Sequence, residues 1–560
     1  MKGKFKIERS IYALGMFIAL IGVLFLIARS DAVLKFKYFN EPSEHAVVRQ
    51  EVEGSQNVPS YLLLTGPDQP ALQNSLKKRL ELMGKDVEVR PISSIESEAD
   101  LSGYASVVVA TEQIDLLKET NIVLRFVQHG GSLFFAVRPS PGPALSTLYQ
   151  PLGLVETGNF IETTGIKLEN PFFGDNGDTV FISDSIINSS LSVRLSGDAK
   201  LFASSSSDIP LLWKATYGEG AFIVFNGTMF TAMTDQSLFV KGIQQASEHV
   251  IMPIVNGRVT ELSGFPFFVP EGRDLSPSYT NRDYYRTVVW PELQRIESKF
   301  NLNYTASYLA PVDTGRTDNA PYPVHDDLKL YGRELLRMGG EIAVQLPLSK
   351  NADQIASSHD ISVQHIKEVL PGYAIRSTSS SSPEVDVELM KDASTTLVPN
   401  TDVQKMEKTI VLPKTIEGFS LDDNKKWQLF NELALSGFYA HSLYPNRFFE
   451  EGNAEEQLSA FTDLQQSMKD QVPWLRSLTL SKAGEAAYAY IYSDLYEEQD
   501  GDKLIFRTTA MKENAHTYYY FSTNRTIAKT EDCKVEKIGE DLYLVEADKL
   551  TFSIVLGGLQ

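Results

Sequence analysis

The rhythm of hydrophobic and polar positions changes several times along the 560-residue chain. Residues Ile11 to Ala28 (IYALGMFIALIGVLFLIA) form an uncharged, mostly apolar run of 18. As a helix it spans about 27 Å, close to the ~30 Å hydrocarbon core of a bilayer. Lys2, Lys4, Lys6 and Arg9 precede it. The positive-inside rule then predicts a single-pass cell-membrane protein over residues 1–30, with the N-terminus cytoplasmic and the bulk outside. A cleaved signal peptide is the rival reading, but Arg29 spoils the small-residue cleavage site at Ala28-Arg29-Ser30. A buried core helix is the third. Residues 31–58 are polar, lack sustained periodicity and read as a stalk.

From Ser60 the pattern becomes strand, helix, strand. Ser60–Thr65 (SYLLLT) is a short apolar strand closed by Gly66-Pro67-Asp68. Leu72, Leu76, Leu80 and Met83 then recur on one face of a helix. Val87–Val89, Ala105–Ala110 (ASVVVA) and Leu133–Val137 (LFFAV) read as strands, and Asp115–Gln128 as a helix stopped by Gly130-Gly131. Pro210–Lys214 and Ala221–Phe225 flank a turn at Tyr217-Gly218-Glu219-Gly220. This alternation predicts a parallel sheet covered by helices over residues 59–258. Past Val259, short strands (Phe265–Pro270, Leu302–Leu309, Glu341–Leu346, Tyr373–Arg376, Thr395–Val398) alternate with helical stretches at Arg282–Phe300, Leu328–Met338, Ser362–Leu370 and Ala454–Val472. Over residues 259–490 that predicts a (β/α) barrel. The segments Leu504–Arg507, Thr517–Ser522, Leu542–Glu546 and Thr551–Val555, with polar turns between them, predict a small antiparallel module over 491–560.

Composition narrows the classes. A content of 42% hydrophobic and 10% aromatic residues is too rich for a disordered chain. With 52 Lys and Arg against 72 Asp and Glu the net charge is −20, which argues against a duplex nucleic-acid partner. Setting aside residues 1–30, with their five bases and one acid, leaves 47 against 71 and a net of −24. The single cysteine, Cys533, excludes an intramolecular disulfide or a cysteine-rich metal site. There is no phosphate loop, no Gly-x-Ser-x-Gly elbow and no His-Glu-x-x-His. The serine runs Ser204–Ser207 and Ser377–Ser382 read as loops.

Two resemblances follow. The turn His129-Gly130-Gly131 into LFFAV and the segment LLWKATYGEGAFIVFNGT resemble the class I glutamine-amidotransferase-like fold. That family carries a nucleophilic cysteine on a turn after a central strand; here the turn reads Thr111-Glu112-Gln113, so the thiol chemistry is absent. His129 then reads as a helix-end residue. GFPFFVPEG (264–272), YGRELLRMGGEIAVQ (331–345) and LALSGFYAHSLYPN (433–446) resemble a group of bacterial extracellular proteins joining such a domain to a polysaccharide-deacetylase-like barrel. Those proteins often accompany Pel-type exopolysaccharide machinery. The fold class implied is α/β: a flavodoxin/amidotransferase-like parallel-sheet domain, a deacetylase-like barrel and a small C-terminal β-rich module.

Deacetylases of this type use an Asp pair after the first strand and a His-x-x-x-His after a later one, holding a metal that activates water. Here Leu262-Ser263-Gly264 precedes the first landmark, Gln345 and Ser349 stand at the His-x-x-x-His spacing, and only His441 remains at the third. The resemblance therefore implies no resident cofactor, with a divalent metal only if the barrel is active, and points away from an enzyme. Candidate barrel-mouth residues are Glu271, Arg273, Asp274, His325, Glu341 and His441. Among them, His325-Asp326-Asp327 suggests a metal cluster, against a helix cap as the plainer reading. The expected partner is an extracellular polysaccharide such as a cationic amino-sugar polymer attracted by the acidic surface. An active carbohydrate esterase or glycosidase with a rearranged site, or a scaffold for polysaccharide synthase subunits, remain the alternatives.

Overall fold

Strands buried on both faces need apolar side chains on both, and SYLLLT and SVVVA meet that demand at the centre of the first sheet. In the computed structural model, which describes residues 2–28, 46–52, 58–174, 179–267, 269–310, 324–348, 351–383, 393–448 and 453–559, this sheet has nine strands. Asp86–Pro91, Ser60–Thr65, Ser106–Ala110, Ser132–Phe135 and Gly220–Phe225 run parallel in that order, and the sheet then continues antiparallel through Pro210–Tyr217, Lys200–Ser204, Ile166–Leu168 and Val180–Phe181. Helix Pro70–Leu82 starts on a proline and buries Leu72, Leu76 and Leu80. The helix expected over Asp115–Gln128 is broken into a turn at Ile114–Leu116 and a helix at Thr120–Gln128. Its Asp115 accepts a bond from Ala144 N at 2.7 Å and so caps a neighbouring helix instead.

The second sheet is built from parallel strands β1 (Gly257–Phe265), β2 (Tyr304–Tyr308), β3 (Glu341–Leu346), β4 (Ser377–Ser380), β5 (Thr395–Pro399), β6 (Thr409–Lys414), β7 (Ile416–Glu417) and β8 (Phe438–Leu443). Pairing runs from β6 through β5, β4, β3, β2 and β1 to β8, and β8 pairs with β7. Since β6 and β7 are one chain segment broken only at Thr415, whose N–H donates to Ala440 O at 3.1 Å, the sheet closes on itself. Three features differ from expectation, the first being that Tyr373–Arg376 is not a strand and pairing starts only at Ser377. FPFFVP is not the strand expected: β1 ends at its first residue, Phe265, and Phe265–Pro266 is a cis peptide leading into a turn at 266–267. The serine run at 377 is a strand, with Ser377 bound to Glu341 and Thr378 to Thr396.

Helix Leu480–Tyr492 plugs the N-terminal end, its Leu480, Ala483 and Ala487 packing with Val259, Leu397, Leu412 and Ala440. A Cβ on Gly484 would lie 1.9 Å from Thr395 Oγ1, so only glycine lets this helix come so close.

The C-terminal module is two four-stranded sheets around Phe506, Tyr519, Phe521 and Phe552. One edge strand, His249–Ile254, comes from the connection between the first sheet and the barrel and pairs with Thr517–Thr523. Within the segment read as a stalk, Val47–Arg49 pairs antiparallel with Ala510–Lys512.

The membrane reading is corrected. Among the described residues no helix is long and apolar enough to cross a membrane. The N-terminal helix runs over Lys2–Ala28, and its side chains are described over 11–24. The transmembrane anchor, the single-pass localisation and the membrane as partner fall with it.

Candidate functional site

Along each barrel strand alternate side chains point inward, and toward the C-terminal ends of the strands the inward positions are polar. Glu261 on β1 is central. Ser307 Oγ on β2 donates to its Oε1 at 2.6 Å, and Ser442 Oγ on β8 donates to Oε2. Lys414 Nζ on β6 lies 3.0 Å from Oε2, with the two side chains 1% and 0% exposed. Burial alone would raise the Glu261 carboxyl, but the Lys414 ammonium and the surrounding serine hydroxyls hold it below the usual carboxylate range. One layer higher, Gln345 Oε1 accepts from Gly264 N at 2.7 Å, and Tyr444 donates to Glu417 at 2.9 Å.

A divalent ion needs several anionic oxygens or imidazoles aimed at one point. The described residues here offer Glu261, already paired with an ammonium, and Glu417, bound by the Tyr444 hydroxyl, together with hydroxyls and an amide oxygen bound by backbone. This donor set does not fit the metal of an active deacetylase. The described trio of His, Asp and Glu close enough to share an ion is His516, Glu546 and Asp548, with ligand atoms within 4.8 Å, and it lies in the C-terminal module rather than the barrel.

The sequence candidates do not converge. Glu271, Arg273 and Asp274 lie on an exposed loop after β1, where Asn281 donates to Asp274 Oδ2 at 2.9 Å and accepts from its N–H at 2.8 Å. His325 is in the first turn of helix Val324–Arg337, with its side chain outside the described residues, as is Ser349. That helix begins before Asp326 and Asp327, and Asp327 pairs with Arg282 at 2.8 Å. Glu341 stands at the opposite end of the barrel, accepting from Ser377 Oγ at 2.5 Å and from the N–H and Oγ of Ser481, both at 2.9 Å. It holds the first turn of the plugging helix, where a carboxylate opposes the dipole. His441 faces outward from β8: Nε2 is 2.5 Å from Gly418 O, its ring meets Phe461, and burial pushes it down to about 4. In the first domain Thr111 and Glu112, where the amidotransferase cysteine would sit, are bound to Asp68, and the exposed His129 caps its helix 2.8 Å from Glu98. Glu261 and Lys414 were not among the candidates. Their one signal is a charge in the middle or at the end of an otherwise strand-like run.

The sequence profile of a family described as uncharacterised proteins conserved in bacteria, DUF2194, matches residues 175–345 and 394–544. The chain belongs to this family. No curated protein matches it in sequence. Among solved structures, the carbohydrate deacetylase Agd3 superposes with a TM-score of 0.55 at 11% identity, covering 89% of this chain and 99% of its own. The chain thus shares the fold of a deacetylase-like structure through nearly its whole length. A ThuA-like protein from Bacteroides uniformis (9% identity, 35% and 94% covered, TM-score 0.27) and a β-galactosidase from Bacillus circulans (13%, 35% and 34%, 0.24) match smaller parts, and nothing rests on them.

Proposed function

We propose that the protein binds or guides an amino-sugar polymer of the exopolysaccharide kind, through a deacetylase-like barrel that has lost its hydrolytic centre. One observation carries this reading: the polar interior near the C-terminal ends of the barrel strands is filled by an internally neutralised Glu261–Lys414 pair with its serine partners. The fold shared with Agd3 supports a carbohydrate as the ligand class, and the likeness to Pel-associated proteins supports an exopolysaccharide. The dispersal of Glu271, Asp274, Glu341 and His441 weighs against a rearranged esterase or glycosidase. Acetate release from N-acetylated hexosamine oligomers, with Zn²⁺, Co²⁺ or Ni²⁺ added, tests the loss of catalysis. The expected result is none above background; metal-dependent release abolished by chelator and by Glu261→Gln would sink the reading. Retention on immobilised amino-sugar polymer tests the binding. Failure to bind, with co-purification of synthase subunits, would favour the scaffold.

A further inference from the structure

Helix Asp423–Ser436 lies between the barrel and the first domain, where a helix covered on both sides would bury apolar residues all round. Its Trp427, Leu429, Phe430, Leu433 and Ala434 do so. Yet Asn424, Gln428 and Glu432, spaced by four, form a polar stripe along one side. That stripe lines a groove of about 470 Å³, closed by Asp235 of the first domain and by Asn400 at the end of β5. The volume falls in the range of small-molecule pockets. Among the described residues, no hydrogen bond or ion pair engages the side chains of Asn400, Asn424, Gln428 or Glu432, although Glu432 is partly buried. Asp235 accepts from Trp427 Nε1 at 3.1 Å through one oxygen only. The nearby cations are committed elsewhere: Lys414 to Glu261, Lys78 to Asp402 at 3.4 Å, and Arg79 to Gln236 and Met233. Three amides and two carboxylates, left without protein partners for most of their hydrogen-bonding capacity, face one groove whose lining cation among the described residues, Lys414, is paired with Glu261.

We propose that this groove holds one cationic hexosamine unit, its ammonium against Glu432 and Asp235 and its hydroxyls against Asn400, Asn424 and Gln428. Amides and carboxylates suit sugar hydroxyls because each both fixes direction and competes well with water. The geometry is supported by the acids' state: burial, with Asp402 nearby, pushes the Glu432 carboxyl up to about 8, and burial raises Asp235 as well. A bound ammonium supplies the countercharge that the protein leaves out. The proposal rests on the amino-sugar reading and gives it an address away from the barrel mouth.

Calorimetric titration with a β-1,4-glucosamine tetramer and its fully N-acetylated form tests it, on the full chain and on Glu432→Gln and Asn424→Ala/Gln428→Ala. The double variant changes partly exposed side chains without fold contacts, and thermal midpoints verify folding. Each variant is expected to weaken tetramer binding about tenfold or more, and the acetylated form to bind at least as much more weakly. Unchanged affinity in both variants overturns the groove while leaving the amino-sugar reading standing. Equal binding of the acetylated tetramer overturns the cationic ligand. No binding of either oligomer by the parent chain overturns both.

Discussion

Replacing Lys414 by Met isolates the interaction on which the barrel interior turns. At 3.0 Å and an effective dielectric of 20, the Coulomb attraction between Glu261 and Lys414 is about 5.5 kcal/mol. Both side chains are buried, so solvent screens little of it. Deleting one partner leaves a buried carboxylate with only hydroxyl donors, which typically costs about 3–5 kcal/mol. Glu261→Gln together with Lys414→Met removes both charges; the amide oxygen accepts from one serine and the amide N–H donates to the hydroxyl oxygen of the other, so the double variant should regain most of the loss. Urea unfolding followed by tryptophan fluorescence, run on the two single variants and the double, gives the coupling energy directly. The pH profile adds a second readout. In the parent chain Glu261 titrates below its usual range, so its stabilisation is complete above about 4.5 and is lost only as pH falls through the lowered value. In Lys414→Met burial is opposed only by the serine hydroxyls and raises the carboxyl, so the deficit should be largest near neutrality and narrow toward acid, where Glu261 takes up a proton. A single-variant loss under about 1 kcal/mol, or a double variant equal to the sum of the singles, would refute the reasoning.

Other perturbations have separate signatures. Glu341→Ala strands the Ser481 N–H and two hydroxyls and should lower stability by about 2–3 kcal/mol in urea, leaving affinity for glucosamine oligomers unchanged; a selective loss of affinity would return Glu341 to the ligand site. His441, held near 4 in the fold against 6.5 when unfolded, makes the protein lose stability as pH falls from 6.5 toward 4, by up to about 3 kcal/mol. His441→Phe should flatten that limb in thermal melts between pH 4 and 7, and an unaltered limb would show that another group governs it. Gly437 ends its helix at φ 62, and a Cβ there would lie 2.9 Å from Ile254 Cβ. Gly437→Ala should therefore cost at least about 1–2 kcal/mol in calorimetric melts, and a neutral result would mean that the backbone relaxes.

What could be read in advance followed solvent contrast. Leu72, Leu76 and Leu80 have a wet side opposite them, so the helical period is visible, and SYLLLT and ASVVVA stand out against polar flanks. The barrel interior offers no such contrast. The inward polar residues of RVTELSGF and STSS alternate with residues buried under helices, so both faces are dry and the period-two signal carries mixed chemistry. The pattern therefore predicts β1 one segment late and a loop at β4. Glu261 is one of 72 acids, and only its closed surroundings distinguish it. Helix Asp423–Ser436 carries no clear period because it is apolar on several sides, and the stripe of Asn424, Gln428 and Glu432 gains meaning only once the first domain lies against it.

The strand His249–Ile254 joins the first sheet to the barrel, yet its hydrogen-bond partner is Thr517–Thr523, with His249 opposite Thr523. A chain emerging from the ribosome would thus expose VIMPI for the time needed to add some 265 residues, an interval on the order of 13–53 seconds at 5–20 residues per second. Throughout that interval an apolar strand lacks its native neighbour while the barrel forms immediately downstream of it. The C-terminal module acts as a latch that shuts only when synthesis is nearly finished. Arrested chains ending before Thr517 should bind holdase chaperones at this segment, and release should follow emergence of the 517–523 strand.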